Sequence, residues 1–147
     1  MKAVIQRVRE AHVTVEGRTV GAIGPGLMVL VGMGKEDTAG DSDWMVDKII
    51  NLRIFETREG RLDKSLLDTG GSLLLVSQFT LYGDCRKGRR PSFSDAMRPE
   101  EARPFFDLFV QKARESVGHV ETGVFQASMD VSLVNAGPVT IILDSRA

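Results

Sequence analysis

Three stretches of the chain hold residues able to do chemistry, and none pairs a nucleophile with a base. In the first, the apolar run Ser72-Leu73-Leu74-Leu75-Val76 turns polar as Ser77-Gln78-Phe79-Thr80-Leu81-Tyr82, where a buried strand would emerge at its end. A strand that delivers a Ser, a Gln and a Thr to its rim is a rigid support for a site, though such groups also serve simply to satisfy neighbouring backbone. The second stretch, Asn135-Ala136-Gly137-Pro138-Val139-Thr140, interrupts two runs with strand character. Gly137 reaches backbone angles closed to other residues, and Pro138 removes a donor and makes its preceding peptide bond the one kind that is often cis. A cis bond there would turn the carbonyls of Ala136 and Gly137 into a rigid backbone edge with no side chain in front of it; a tight turn or bulge is the plainer reading. The third is Arg86-Lys87-Gly88-Arg89-Arg90, followed by Phe93. Long cationic donors, glycine that permits close approach and an aromatic face suit phosphate contact, and they suit a solvated loop equally.

Other reactive residues are sparse. Cys85 is the only cysteine, His12 and His119 lie far apart, and no His-Ser-Asp or Cys-His arrangement is legible. No disulfide, metal site or cofactor is therefore expected. Trp44 is the only tryptophan and reads as a partly buried packing residue in preference to a ligand-stacking one.

The elements that must position these stretches follow from periodicity. Lys2–Val8 reads as a first strand, and His12–Glu16 with Thr19–Ile23 as a hairpin turning at Gly17-Arg18. Leu27–Met33 is a continuous apolar run, the pattern of a central strand covered on both faces, and Ser72–Val76 is another. Apolar positions Met45, Val46, Ile49, Ile50 and Leu52 recur at helical spacing between Asp41 and Arg53, after a start that Asp37 or Thr38 could cap. A second helix begins near Arg98-Pro99-Glu100-Glu101 and runs through Phe105, Phe106, Phe109 and Val110 to Gly118, with Pro104 expected to kink or delay it. Val120–Phe125, Asp130–Val134 and Val139–Leu143 complete the strands.

At 147 residues the chain fits one domain, residues 1–147. Its 19 Lys and Arg nearly balance 20 Asp and Glu, so any nucleic-acid contact must come from a local patch. The first residues lack the apolar core of a signal peptide and no run approaches a bilayer span, which gives the expectation of a cytoplasmic protein without membrane contact.

Taken together, the motifs resemble those of the D-aminoacyl-tRNA deacylases. Ser77-Gln78-Phe79-Thr80-Leu81 and Asn135-Ala136-Gly137-Pro138-Val139-Thr140 match that family's two marks, and Lys87-Gly88-Arg89-Arg90-Pro91-Ser92-Phe93, Thr122-Gly123-Val124-Phe125 and Gly24-Pro25-Gly26-Leu27 also fit, so the likeness runs the whole length. Ala136 stands where the family often has Asp. The resemblance implies an α+β single domain, with a strongly curved, mostly antiparallel, barrel-like sheet and two main helices packed on it. It implies a homodimer in which a cis Gly137-Pro138 enters the partner's pocket, above a catalytic floor of Ser77, Gln78, Phe79 and Thr80. Ala136, Phe125 and Met129 would join Gly137 and Pro138 in binding substrate and selecting chirality, and Arg86, Lys87, Arg89 and Arg90 would meet tRNA. The implied substrate is the ester of a D-amino acid, or of glycine mischarged on tRNA-Ala, with the terminal ribose of tRNA.

Ester hydrolysis needs an attacking oxygen and donors for the developing oxyanion. Thr80 has no evident base, so backbone N–H groups around Gln78, Phe79 and Thr80 are the expected donors, with the 2′-hydroxyl of the substrate's own adenosine assisting, as the family is thought to work. A non-catalytic nucleic-acid-binding dimer and a small-molecule esterase with a Thr80 nucleophile are the rival readings.

Overall fold

The computed structural model describes all 147 residues, and its sheet is organised by the first strand. β1 (Lys2–Val15) runs unbroken through the segment where a separate strand and hairpin are expected. It pairs antiparallel with β2 (Arg18–Ile23) along its second half, with β3 (Gly26–Gly32) along its first half, and with β8 (Asp130–Asp144) along nearly its whole length. Alternate side chains of a strand point to one face, and on β1 that face is the core: Ala3, Ile5, Ala11 and Val13 are all at most 2% exposed. Beyond β3 the order continues with β6 (Ser72–Ser77) and β7 (Val120–Thr122), both joined by parallel ladders. The sheet is thus mixed, with β1 antiparallel to its three partners and β3, β6 and β7 parallel, and it curves into a nearly closed barrel in which the backbone of Gly21 on β2 lies against the Thr122 carbonyl on β7.

Two hydrophobic clusters occupy its two faces. Leu27, Val29, Val31, Leu73 and Leu75 point under the helices, while Met28, Leu74 and Val76 point into the barrel with Val8, Val13 and Ile23. The continuous apolar runs of β3 and β6 are the consequence, since both faces of each strand are covered.

α1 (Ala39–Asn51) starts after Thr38, whose N–H donates to Asp41 Oδ2 at 2.8 Å, and it buries Met45, Val46, Ile49 and Ile50. α2 (Leu66–Thr69) is a single turn capped by Ser65. α3 (Pro99–Arg114) buries Ala102, Phe106, Phe109, Val110 and Ala113. Pro104 sits inside α3 and does not delay its start, which falls at Pro99 in the first helical position that suits a residue without N–H. The aromatic residues of α3 are core, as their spacing predicts: Phe106 and Phe109 stack at 6.4 Å. β4 (Phe55–Glu56) and β5 (Leu62–Lys64) pair as a separate small two-stranded sheet.

Candidate functional site

β6 ends as the sequence predicts, with the chain leaving the core at Ser77. Gln78 N–H donates to the Val31 carbonyl on β3 at 2.7 Å, which anchors the exit. The chain then folds into a 3₁₀ turn, Phe79–Tyr82, closed by Leu81 N–H to Gln78 O at 3.3 Å and Gly83 N–H to Thr80 O at 2.9 Å. Opening a turn in this way leaves its first N–H groups without intrachain acceptors, and those of Phe79 and Thr80 are the two left free. Of the three backbone donors expected from the sequence, Gln78 is therefore occupied structurally. Its side chain remains available, and its Nε2 donates to Thr80 Oγ1.

Tyr82 anchors the far end of the turn. Its hydroxyl meets Asp37 Oδ2 at 3.5 Å, and burial, followed by the Asp37 charge, pushes the phenol well above its ordinary range. Asp37 in turn accepts from the N-terminal ammonium at 2.7 Å. Tyr82 is a neutral structural prop, with no proton to give near pH 7.

A cavity of about 640 Å³ opens beside this turn, with Ser77, Gln78 and Phe79 on its wall. Phe125 and Met129 line it too, so five of the expected site residues share one cleft. Thr80 lies just outside, tied to it through Gln78. Met129 packs its sulfur against the Gly123 backbone: a Cβ there would stand 2.5 Å from the thioether, which would have to swing aside. At the mouth Phe79 and Phe93 meet edge to face, with ring centroids 5.1 Å apart. Gly83 permits that contact, since a side chain there would press on the Phe93 ring at 3.1 Å. Arg98, Gln126, Met33 and Met97 also line the cleft and were not singled out by sequence. They come from turns and a helix start whose positions depend on the fold, and Gln126 is there held at φ 64°.

The Asn135–Thr140 motif does not reach this cleft within one chain. β8 pairs through it, but Asn135 faces Val8 and Thr140 faces Gln6, so the four residues Ala136–Val139 stand opposite Arg7 alone and must bow outward. Three side chains, Asn135, Arg7 and Thr140, hold the bow. Asn135 Nδ2 donates to Arg7 O at 3.0 Å and to Val139 O at 3.1 Å, drawing its two ends together. The Arg7 guanidinium donates from Nε to Ala136 O at 3.1 Å and from Nη1 to Ile54 O at 2.8 Å. Thr140 Oγ1 bonds Gln6 Oε1 beyond it. Gly137 takes φ +118°, a conformation that L side chains rarely adopt, and the Gly137-Pro138 bond is cis. Both residues are exposed at the crest.

The basic loop stands apart from the cleft, with Phe93 as its link. One of its four cations is already paired: Arg86 makes a two-pronged contact with Asp84, Nε to Oδ1 at 2.9 Å and Nη2 to Oδ2 at 2.7 Å. Those hydrogen bonds hold the Asp84 carboxyl down at about 2. Lys87, Arg89 and Arg90 are exposed and make no ion pair, so they are the free charges of the loop. No group of three or more His, Cys, Asp or Glu is placed to hold a metal ion, and no helix is long and apolar enough to cross a membrane.

The structure is thus a curved mixed sheet that carries an apolar cleft at the end of β6, with the unengaged N–H groups of Phe79 and Thr80 beside it. Comparison with known proteins gives it a family. The family model described as D-Tyr-tRNA(Tyr) deacylase matches residues 4–144, and the chain belongs to this family. A protein of Kosmotoga olearia named D-aminoacyl-tRNA deacylase is 64% identical over 146 residues, covering 99% of this chain and 98% of the relative. One of the same name from Thermus aquaticus is 57% identical over 145 residues, covering 99% and 95%. A solved structure described as c-Myc DNA Unwinding Element Binding Protein superposes with a TM-score of 0.95 at 45% identity, covering 100% of both chains. Another, described as a probable eukaryotic D-amino acid tRNA deacylase, shares the fold with a TM-score of 0.82 at 19% identity over 97% of each chain.

Proposed function

We propose that this protein hydrolyses the ester of D-aminoacyl-tRNA, and of glycine mischarged on tRNA-Ala, releasing the free amino acid and tRNA. The observation that carries the reading is the cleft at the end of β6. It holds the family's Ser77-Gln78-Phe79 wall beside two unengaged N–H groups, and the family of this chain is defined by deacylation. Water attacks the ester carbonyl, the N–H groups of Phe79 and Thr80 hold the developing oxyanion, and the bond to the ribose oxygen breaks to leave a carboxylic acid and a ribose hydroxyl. The 2′-hydroxyl of the terminal adenosine assists the attack, which suits a site whose own side chains offer no base. Thr80 positions; its hydroxyl is already engaged by Gln78.

Chiral selection resides in Gly137 and Pro138. Their crest is exposed and absent from the cleft of its own chain, which supports a homodimer in which each crest completes the partner's site. Carbonyls of that edge hold the substrate's amino group. An L side chain then points into backbone, a D side chain points to solvent, and glycine has nothing to clash. Lys87, Arg89 and Arg90 approach the acceptor stem. The compartment consistent with this substrate is the cytoplasm.

The test incubates purified protein with D-tyrosyl-tRNA, L-tyrosyl-tRNA and a small D-amino-acid ester. Loss of the first alone is expected, and it persists in Thr80→Val; an aminoacyl ester trapped on Thr80 would overturn the mechanism. A second reading, a non-catalytic nucleic-acid-binding dimer, takes its support from the 45% identical structure and its description as a DNA-element-binding protein. It predicts binding of tRNA with no ester lost. Sedimentation at low micromolar concentration tests the dimer.

A further inference from the structure

Against the outer face of α3 lies a second, more polar cleft of about 320 Å³, between the helix and the chain leaving β7. Arg103 and Asp107 line it from adjacent turns of α3 and Arg114 from two turns further on, and Phe125 is on its wall. Phe125 is also a wall of the larger cleft, so the two hollows meet across one ring. The Arg103 guanidinium lies over that ring, 4.9 Å from its centroid. Arg114 reaches only the Val120 carbonyl, at 3.4 Å. Neither arginine has a carboxylate partner, although Asp107 lines the same cleft within one turn of Arg103. Two guanidinium groups without a carboxylate partner in one groove, one of them over an aromatic ring, leave planar sets of donors for whatever enters.

We propose that this cleft is a phosphodiester-binding subsite that carries the single-stranded 3′ end of the RNA substrate as it leaves the larger cleft, the chain crossing over Phe125 with its phosphates on Arg103 and Arg114. The proposal rests on the deacylase reading for its substrate. Its geometry is independent of that reading. Arg103 and Arg114 are eleven positions apart on one helix, a rise of about 16 Å, which is a length for more than one nucleotide and too long for a single phosphate. An isolated small anion would be served by one arginine alone. Asp107 between them sets a sign that packing alone does not: its carboxylate repels a phosphate in the groove, so its removal strengthens binding.

The experiment compares wild type with Arg103→Ala, Arg103→Lys, Arg114→Ala and Asp107→Asn on two substrates, D-tyrosyl-tRNA and the adenosine ester 3′-O-(D-tyrosyl)adenosine, which has no phosphate. In parallel, a fluorescent CpCpA oligonucleotide, the tRNA 3′-terminal sequence, is titrated into each protein at several salt concentrations. Each Arg→Ala variant is expected to raise KM for the tRNA about tenfold, at least fivefold more than for the adenosine ester, and to reduce the salt slope of oligonucleotide binding by about 0.7. Arg103→Lys retains most of the slope, and Asp107→Asn tightens the oligonucleotide two- to threefold, about the effect of one exposed like charge. Equal losses on both substrates would mean that Arg103 merely supports Phe125 and would overturn the proposal, as would oligonucleotide binding unmoved by any variant. Should wild type hydrolyse neither substrate, the deacylase reading fails and the oligonucleotide titration alone decides the cleft.

Discussion

Gly137→Ala is the substitution on which the crest of β8 is most open to attack by experiment. A Cβ at this position would stand 2.7 Å from Arg7 Nη2, 3.1 Å from Val139 Cγ2 and 3.2 Å from Val139 N. The last two are tight; the first requires the guanidinium to move. Arg7 is not a free side chain that can yield cheaply, for it is 8% exposed and bonded to Ala136 O, Ile54 O and Glu56. Weakening a hydrogen bond from a charged donor costs about 1.5–3 kcal/mol, and holding an L residue at φ +118° adds about 1–3 kcal/mol. The sum, about 2.5–6 kcal/mol if the backbone holds, corresponds at about 2–4 °C per kcal/mol to a melting temperature lowered by about 5–24 °C. If the crest relaxes instead, the stability loss falls toward the lower limit, and the carbonyls of Ala136 and Gly137 shift. Differential scanning calorimetry reads the first outcome and hydrolysis of D-tyrosyl-tRNA the second, so at least one must change. Gly17→Ala is the control: φ is +76° there but nothing lies within 4 Å of the added carbon, so only the backbone cost of about 1–2 kcal/mol remains. A Gly137→Ala protein with the melting temperature and the deacylation rate of wild type would refute the reasoning.

Two further substitutions test separate links. Gly26→Ala would put a carbon 1.9 Å from Ser72 O at the start of the β3–β6 ladder, with backbone on both sides, and should yield insoluble protein or a melting temperature lower by 10 °C or more, roughly the 3 kcal/mol upper range of overpacking; Gly24→Ala, with nothing within 4 Å, should melt as wild type does. Asp84→Ala releases Arg86, so if the loop faces RNA the salt dependence of tRNA binding should steepen by about 0.7–0.9, and an unchanged slope would remove the loop from the interface. The Asp84 carboxyl is held below its ordinary 3.8, so the Asp84–Arg86 tie is complete above about pH 4 and is lost as pH falls through about 2; wild-type and Asp84→Ala slopes should converge only in that acid range.

How far the sequence reaches is best seen residue by residue. The end of β6 is legible because the switch from Leu74-Leu75-Val76 to Ser77-Gln78 is a local change of polarity, and burial follows it directly. α1 and α3 are legible from the helical spacing of their apolar residues, and Pro99 with its following acids marks the start of α3. What depends on register is not. That β1 runs unbroken to Val15, and that Ala136–Val139 stand opposite one residue, are facts about a partner strand more than a hundred positions away. Arg7 illustrates the limit: nothing in Lys2–Val8 distinguishes its guanidinium from any arginine on a wet strand face, yet it is buried and carries the crest. Arg103 and Arg114 are hidden likewise, since the helical period places them on one face but says nothing about Phe125 meeting that face. Asp84 is an adjacent acid in an apparently basic loop, and only the geometry of its contact removes Arg86 from the count of free charges.

The bow of β8 offers its neighbours carbonyls and N–H groups rather than side chains, and the free donors at Phe79 and Thr80 are main chain as well. A surface of this kind is spelled the same way by nearly every amino acid, so most single-letter errors in the gene, or in the translation of any one copy, leave it intact. The alphabet through which mutation can reach it shrinks to the few residues that fix its curvature, such as Asn135, Gly137 and Arg7. For a protein proposed to remove errors from translation, discrimination written in backbone is a form of fault tolerance: the corrector survives being slightly misspelled.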